Sequence, residues 1–190
     1  ATGKIIAQIE FDPKTDGFGF QNYGGEDQSE DELTAEDLIR MFGADEVCMT
    51  GSTGEDCELF EPAQVWLESE MKGLEGGHCE GMAVTSFRFW LEEPYEGKTT
   101  PANFQQGAKA VFNLQKNLDI ENYIAYYAVI QSLDEVYRPQ NQTGNKKPSE
   151  ILKMLIASMQ DEKPHYTMGI FNLGEGGRFK DGHAISPIAV

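Results

Sequence analysis

The chain has 190 residues, of which 39% are hydrophobic and 11% aromatic, a composition typical of one folded domain with a sizeable core. Its formal net charge is −17, which excludes nucleic acid and anionic membrane surfaces as partners, because both bind clustered Lys and Arg. No apolar run reaches the ~18–20 residues that a membrane-spanning helix needs, so no membrane partner is expected. We therefore interpret residues 1–190 as a single domain.

The first third of the chain contains short elements with clear boundary signals. Residues 4–11 alternate apolar and polar side chains, which predicts a strand. Thr34 followed by Asp37 resembles a capping box and predicts a short helix that ends at Gly43. Pro62 suits the first turn of a further helix, which the pattern extends to Gly73.

Cys48 and Cys57 bracket a loop of glycine, serine, threonine and acidic residues. A disulfide between them would close a short loop and would suit an oxidising compartment, so we predict a secreted or periplasmic protein. A zinc site is the rival interpretation, but the spacing without nearby histidines does not match a zinc pattern. Two unpaired surface thiols are the remaining alternative. No metal and no cofactor is expected, and a disulfide here would leave Cys79 as the odd cysteine.

Two glycines and a cysteine mark the start of the best-defined helix. Gly76 and Gly77 break the chain, and the residues that follow repeat at helical spacing. One face of the predicted helix carries Cys79, Met82, Ala83, Ser86, Phe87 and Trp90. Cys79 therefore lies in the first turn, where free N–H groups and the helix dipole stabilise a thiolate. The pattern predicts a nucleophile at Cys79, with a buried structural thiol as the alternative.

The second half of the chain is predicted to contain helices followed by strands. The pattern predicts a helix over 120–137, a polar loop over 138–145 and a helix that begins at Pro148. The period then changes to two, which predicts a strand over 165–171. A glycine-rich connection leads to a partner strand over 179–190. Helices followed by an antiparallel sheet give an α+β fold.

Of the three histidines, His183 is the best placed to act as a general base. It enters the last predicted strand directly after a glycine, and a strand can hold an imidazole rigidly beside a helix start. His78 adjoins Cys79, but consecutive side chains on a helix diverge by about 100°. His78, together with Gly77, is therefore only a candidate for the border of the cleft, and a capping or solvent role is the favoured interpretation of His78. His165 is expected at the surface.

Two stretches of the chain resemble a known family. Gly77-His78-Cys79-Glu80-Gly81-Met82-Ala83 and Gly182-His183-Ala184-Ile185 are similar to the cysteine and histidine boxes of papain-like cysteine peptidases, particularly divergent secreted bacterial ones. The resemblance implies that Cys79 is the nucleophile and His183 the general base and acid. It also implies a papain-like fold, in which a helical half that carries the nucleophile is followed by a sheet half, and a peptide or protein substrate.

The chain departs from the papain-like pattern at the oxyanion donor. That pattern has a glutamine a few residues before the cysteine, and Gly73 occupies the position here. Gln64 lies further upstream on a separate predicted helix and is the remaining side-chain candidate. The backbone N–H of Cys79 is the favoured donor.

The chain also departs from the pattern at its C-terminal end. An Asn or Asp on a strand beyond the histidine strand would orient the imidazole, but the sequence ends at Val190. The last predicted strand bears Ile185, Ile188 and Val190, and an apolar unpaired edge is a liability in a finished domain. We therefore expect further strands from a C-terminal remainder of the same polypeptide, present as a second chain or a missing segment, so that the sheet half is incomplete here.

The function that these residues favour is peptide hydrolysis by a cysteine peptidase. A thiolate at Cys79 would attack the carbonyl, and His183 would protonate the leaving amine. The same pair also serves acyl transferases of the transglutaminase or amidase type. A non-catalytic secreted interaction module on the same fold is the alternative from another class, and the two departures favour it.

Overall fold

The computed structural model describes residues 4–49, 52–144, 146–161, 166–174 and 179–190. In these ranges the chain is mostly helical and has a short two-stranded antiparallel sheet near its C-terminal end, which is α+β in the broad sense. The α-helices are α1 (Ala35–Phe42), α2 (Ala44–Val47), α3 (Glu61–Leu74), α4 (Cys79–Trp90), α5 (Pro101–Phe104), α6 (Leu118–Val129), α7 (Asp134–Gly144) and α8 (Pro148–Gln160). The strands are β1 (Met168–Leu173) and β2 (Phe179–Ile185).

The helices that carry clear boundary signals begin and end where the sequence predicts. The backbone N–H of Thr34 donates to Asp37 Oδ2 at 2.9 Å at the start of α1, which ends at Gly43 with a φ of +91°. Pro62 occupies the first turn of α3, and Pro148 begins α8. Capping groups satisfy the free N–H groups of a helix end locally, so such a boundary depends on a few neighbouring residues.

Helices α4 and α6 cross in direct contact and form the centre of the molecule. A Cβ atom at Gly81 would lie 2.1 Å from the carbonyl oxygen of Ile124, so only glycine permits this approach. Aromatic rings fill the space beside the crossing, and Tyr123 and Phe89 pack edge to face with ring centroids 5.4 Å apart. This packing fixes α4, and with it Cys79, against the rest of the fold.

The prediction of a single strand over 179–190 is wrong for the last residues of the chain. β2 ends at Ile185, and the chain then leaves the sheet to pair with the N-terminal segment. The N–H of Ile9 donates to the oxygen of Ile188 at 3.1 Å, and Val190 exchanges backbone hydrogen bonds with Ala7. Ile188 and Val190 therefore pack against a buried cluster and do not lie on an unpaired sheet edge.

The predicted strand over residues 4–11 is wrong as an element. Its alternation is real over 7–11, since Ala7, Ile9 and Phe11 are buried while Gln8 and Glu10 are exposed, although Ile5 on the same predicted face is exposed. The segment nevertheless pairs only with the C-terminal residues, through a single bridge between Gln8 and Ala189, and forms no regular strand. The segment thus buries alternate side chains by lying extended on the helical core, without forming a regular strand.

The predicted helix over 120–137 is interrupted. α6 ends at Val129, a 3-10 turn follows over Ile130–Ser132, and α7 continues through the region predicted as a polar loop. Pro139 lies inside α7, in a position where it removes one helical hydrogen bond. The predicted strand over 165–171 is displaced to β1, and His165 lies outside the described residues.

Cys48 and Cys57 form the predicted disulfide, with Cα atoms 5.3 Å apart. Cys48 is buried beside Leu38 and Val47, so the bridge ties the loop after α2 to a small apolar cluster. The disulfide is consistent with an oxidising compartment. In the described ranges, no helix has the length and apolar character to cross a membrane.

Candidate active site

Cys79 is the first residue of α4, as predicted. Gly77 has a φ of +122°, a conformation that favours glycine, and it turns the chain directly before the helix. The N–H of Cys79 has no acceptor inside the helix, because the first turn lacks a preceding one. The thiol is half-buried and not part of a disulfide. Its position therefore combines access for a reactant with unpaired backbone donors.

His183 lies on β2, and it lines the same cavity as Cys79. The two strands pair antiparallel with His183 opposite Ile170, and the imidazole is exposed. The N–H of Ala184, the next residue, donates to the Cys79 sulfur at 3.3 Å. This hydrogen bond joins β2 to the start of α4. Two residues that are distant in the sequence thus line one cavity, and their roles as nucleophile and base stay predictions.

A cavity of about 430 Å³ connects these two residues to an apolar surface. Its other lining residues are Phe11, Pro13, Gly17, Phe18, Asn22, Met82, Ala83, Ser86, Ala184, Ile185, Ser186 and Ile188. No acidic side chain is among these residues, although the chain as a whole carries a net charge of −17. A cleft of this kind suits an uncharged stretch of substrate.

His78, a candidate for the border of the cleft, is not among the residues that line this cavity and is fully buried, as is Glu32. Its Nδ1 lies 2.8 Å from the carbonyl oxygen of Tyr23, and its Nε2 lies 2.7 Å from Glu32 Oε1. A carbonyl only accepts hydrogen bonds, so Nδ1 must carry a proton. Another proton lies between Nε2 and the carboxyl group, whichever of the two holds it. His78 and Glu32 together are therefore neutral, and they fix the residue that precedes Cys79.

The ring of Tyr23 stacks on His78, with ring centroids 4.1 Å apart and planes at 14°. Burial, with a smaller contribution from Glu32, raises the pKa of Tyr23 above its usual range. The phenol therefore stays neutral beside the buried carboxyl group. In the described part of the chain its hydroxyl has no hydrogen-bond partner.

Asn22 is a residue of the site that sequence reasoning missed. It belongs to the loop before Tyr23, lines the cavity with Cys79, and accepts the N–H of His78 on Oδ1 at 2.8 Å. The two partners are 56 residues apart in sequence. The aromatic and glycine-rich stretch around Asn22 was the only local signal, and it did not identify a partner.

The other predicted site residues, Gln64 and Gly77, are not among those that line the cavity of Cys79. Gln64 is on α3, where its Nε2 donates to Glu68 Oε1 at 2.8 Å, and it lines a different cavity of about 650 Å³. Gly77 packs against the Asn22 amide. Among the described residues, no group of three or more His, Cys, Asp or Glu side chains could hold a metal ion.

No family model, curated protein or solved structure matches this chain. What supports a function is therefore the arrangement of its own residues. No residue in the described ranges forms a hydrogen bond with the ring of His183. An Asn or Asp that would orient this imidazole is therefore not found there. Cys79 and His183 are the thiol and the imidazole that line the cavity.

Proposed function

We propose that this chain is a cysteine-type hydrolase that cleaves peptide bonds, with Cys79 as nucleophile and His183 as general base and acid. The observation that carries the proposal is the meeting of both residues in one cavity, with the N–H of Ala184 on the sulfur. A thiol at a helix start and an imidazole on a strand are the parts that thiol acyl transfer requires.

The chemistry follows from these positions. His183 takes the thiol proton, and the thiolate sulfur of Cys79 forms a bond to the substrate carbonyl carbon while the π electrons move to the oxygen. When this intermediate collapses, the carbon–nitrogen bond breaks and His183 gives its proton to the leaving amine. Water then cleaves the thioester and regenerates the thiol. Unpaired N–H groups at the start of α4 stabilise the oxyanion.

The finer assignments belong to the same proposal. A papain-like fold is supported by a nucleophile at the start of a buried helix, followed by an antiparallel pair that carries the histidine. The disulfide supports a secreted or periplasmic location. A peptide or protein substrate suits the open, mostly apolar cavity. A C-terminal remainder that completes the sheet and orients His183 stays a prediction.

The test is alkylation of the wild-type protein and of the Cys79→Ala and His183→Ala variants by iodoacetamide. At about pH 6 an ordinary thiol, with a pKa near 8.5, is almost entirely protonated and reacts slowly. We expect Cys79 to react at least about tenfold faster than a cysteine in an unstructured peptide, because His183 holds the thiol proton. His183→Ala should remove this advantage, and Cys79→Ala should abolish labelling because the other two cysteines form a disulfide.

Slow alkylation that is the same with and without His183 would contradict the proposal. A non-catalytic interaction module on this fold would then be the better interpretation. If the thiol is activated but an added primary amine captures the acyl group more readily than water does, the chain is an acyl transferase of the transglutaminase type. Release of shortened peptides from a denatured protein substrate identifies hydrolysis.

A further inference from the structure

Thiol acyl transfer needs donors directed at the oxygen that becomes negative. Active sites of this kind use two or more N–H groups, and losing one side-chain donor lowers the rate by about 100- to 1,000-fold. The N–H of Cys79 supplies the first donor. Gln64, the side chain that the sequence suggested for the second, lies at another cavity. The side chain amide of Asn22 is the alternative inside the cavity of Cys79.

The orientation of the Asn22 amide follows from its hydrogen bond. The N–H of His78 is a donor, so the group that faces it at 2.8 Å must be the carbonyl oxygen of the amide. The amide nitrogen Nδ2 is the other end of this amide and lies against Gly77. No residue of the described ranges accepts a hydrogen bond from it. Asn22 thus lines the cavity together with Cys79 and carries an N–H₂ group that has no acceptor among these residues.

Two features hold this amide in place. Nδ2 lies 2.5 Å from the position that a Cβ atom at Gly77 would occupy, so the absence of a side chain there makes the space for it. The anchor of Oδ1 is the backbone of His78, whose ring is itself fixed by Tyr23 and Glu32. The donor is therefore positioned by the same residues that start α4. A donor fixed in advance is what electrostatic stabilisation of an oxyanion requires.

We propose that Asn22 is a catalytic residue, whose Nδ2 donates to the oxyanion together with the N–H of Cys79; this assignment rests on the proposed function. The amide makes no bond with the sulfur and takes no proton during the reaction. It acts only when a tetrahedral oxygen carries charge. Removal of Asn22 consequently affects acyl transfer and leaves the reactivity of the thiol itself unchanged.

The test compares two reactions of the same sulfur. Acylation by p-nitrophenyl acetate forms a tetrahedral oxyanion at the ester carbon before p-nitrophenolate leaves. Alkylation by iodoacetamide forms a sulfur–carbon bond at a methylene carbon, iodide leaves, and no oxyanion appears. We expect Asn22→Ala to lower the acylation rate constant by about 100- to 1,000-fold. The alkylation rate constant should stay within about twofold of wild type, because a donor that acts only on the oxyanion contributes nothing there.

Further variants keep the test decisive if Asn22→Ala changes the conformation of the loop that contains Asn22. Asn22→Asp retains an oxygen that accepts the His78 N–H but has no N–H₂ group, so acylation should fall as far as in Asn22→Ala. Gln21→Ala and Gln64→Ala remove exposed amides outside the cavity and should leave both rates at the wild-type value.

The possible outcomes separate the two proposals. If Asn22→Ala and Asn22→Asp acylate like the wild type, or lose alkylation as much as acylation, Asn22 is not an oxyanion donor, and the proposed function is not contradicted by that result. If the wild type acylates no faster than Cys79→Ala, the proposed function itself fails and the role of Asn22 fails with it.

Discussion

Two ionisable side chains, His78 and Glu32, are completely buried next to Cys79 in a protein of high negative charge. Removing a carboxylate from water costs several kcal/mol unless a partner offsets it. The imidazole is that partner, at 2.7 Å from the carboxyl oxygen. The second oxygen of Glu32 has no hydrogen-bond partner in the described part of the chain. Among the described residues, His78 is therefore the one side chain that compensates the buried acid.

Loss of His78 alone should be costly. In His78→Leu the Glu32 carboxyl group stays buried without a partner, and the carbonyl of Tyr23 loses its donor. We expect the free energy of unfolding, measured with urea at neutral pH, to fall by about 3–5 kcal/mol. The double variant His78→Leu/Glu32→Met should be more stable than His78→Leu, because no uncompensated acid remains. A double variant as unstable as the single one would mean that packing, and not the buried charge, causes the loss.

At the scale of elements, the crossing of α4 and α6 depends on Gly81. An alanine there would normally favour a helix by up to about 1 kcal/mol. Its Cβ atom would meet the backbone carbonyl of Ile124 at 2.1 Å, and backbone cannot move aside cheaply. We expect Gly81→Ala to lower the free energy of unfolding by about 1–3 kcal/mol, as overpacked cores do. The separation of the helices should displace Cys79 from Ala184 and slow its alkylation.

Gly73 offers a matched control for this substitution. It also lies in a helix, α3, but it is exposed and a Cβ atom there would meet nothing within 4 Å. Gly73→Ala should therefore raise the free energy of unfolding by about 0.5–1 kcal/mol. Equal effects of the two substitutions, measured by urea unfolding under the same conditions, would show that the close crossing is not what Gly81 provides.

Sequence patterns predicted those elements whose boundaries depend on neighbouring residues. Thr34 and Pro148 mark helix starts correctly, and the glycines before Cys79 predict the start of α4. The helix over 120–137 was extended too far because its apolar stripe continues through Leu133 and Tyr137. The spacing of the apolar residues in that stripe does not predict the 3-10 turn over Ile130–Ser132, which follows the end of α6.

The candidate site was predicted in part for the same reason. Cys79 and His183 carry local signals, a helix start and a strand start, and the structure brings them to one cavity. Asn22 and Glu32 carry no signal that identifies a partner, because they contact His78 across 56 and 46 positions of the sequence, respectively. Periodicity describes which face of an element is buried, but it does not identify the distant partner of a buried polar group.

At the scale of the whole molecule, buried tyrosines couple stability to alkaline pH. Tyr23, Tyr95 and Tyr123 are 5%, 4% and 1% exposed. Burial raises the pKa of each phenol far above its usual value near 10, and in Tyr95 the neighbouring Asp37 adds to the effect. The folded chain therefore keeps three protons that the unfolded chain releases above about pH 10.

The sign of the effect follows from this difference in bound protons. A group whose pKa is raised in the folded state contributes stability that is complete below the unfolded pKa. This stability is lost progressively as the pH rises from the unfolded pKa through the folded pKa. Each buried tyrosine lowers the free energy of unfolding by about 1.4 kcal/mol per pH unit above about pH 10, so the three together give about 4 kcal/mol per unit. Burial raises the pKa values of Tyr126 and Tyr127 as well, so we expect urea unfolding to show at least this slope, and tyrosinate absorbance should appear together with unfolding.

The Tyr23→Phe variant isolates the contribution of one buried tyrosine to the pH dependence of the free energy of unfolding. The Tyr23 hydroxyl has no hydrogen-bond partner among the described residues, so its removal should leave the free energy of unfolding at pH 8 unchanged or slightly higher. Above about pH 10 the variant should lose about 1.4 kcal/mol less per pH unit than the wild type. Comparing the two slopes cancels the titration of lysines, which both proteins share. Identical slopes, or tyrosinate absorbance that rises while the chain is still folded, would show that Tyr23 is not held neutral by burial.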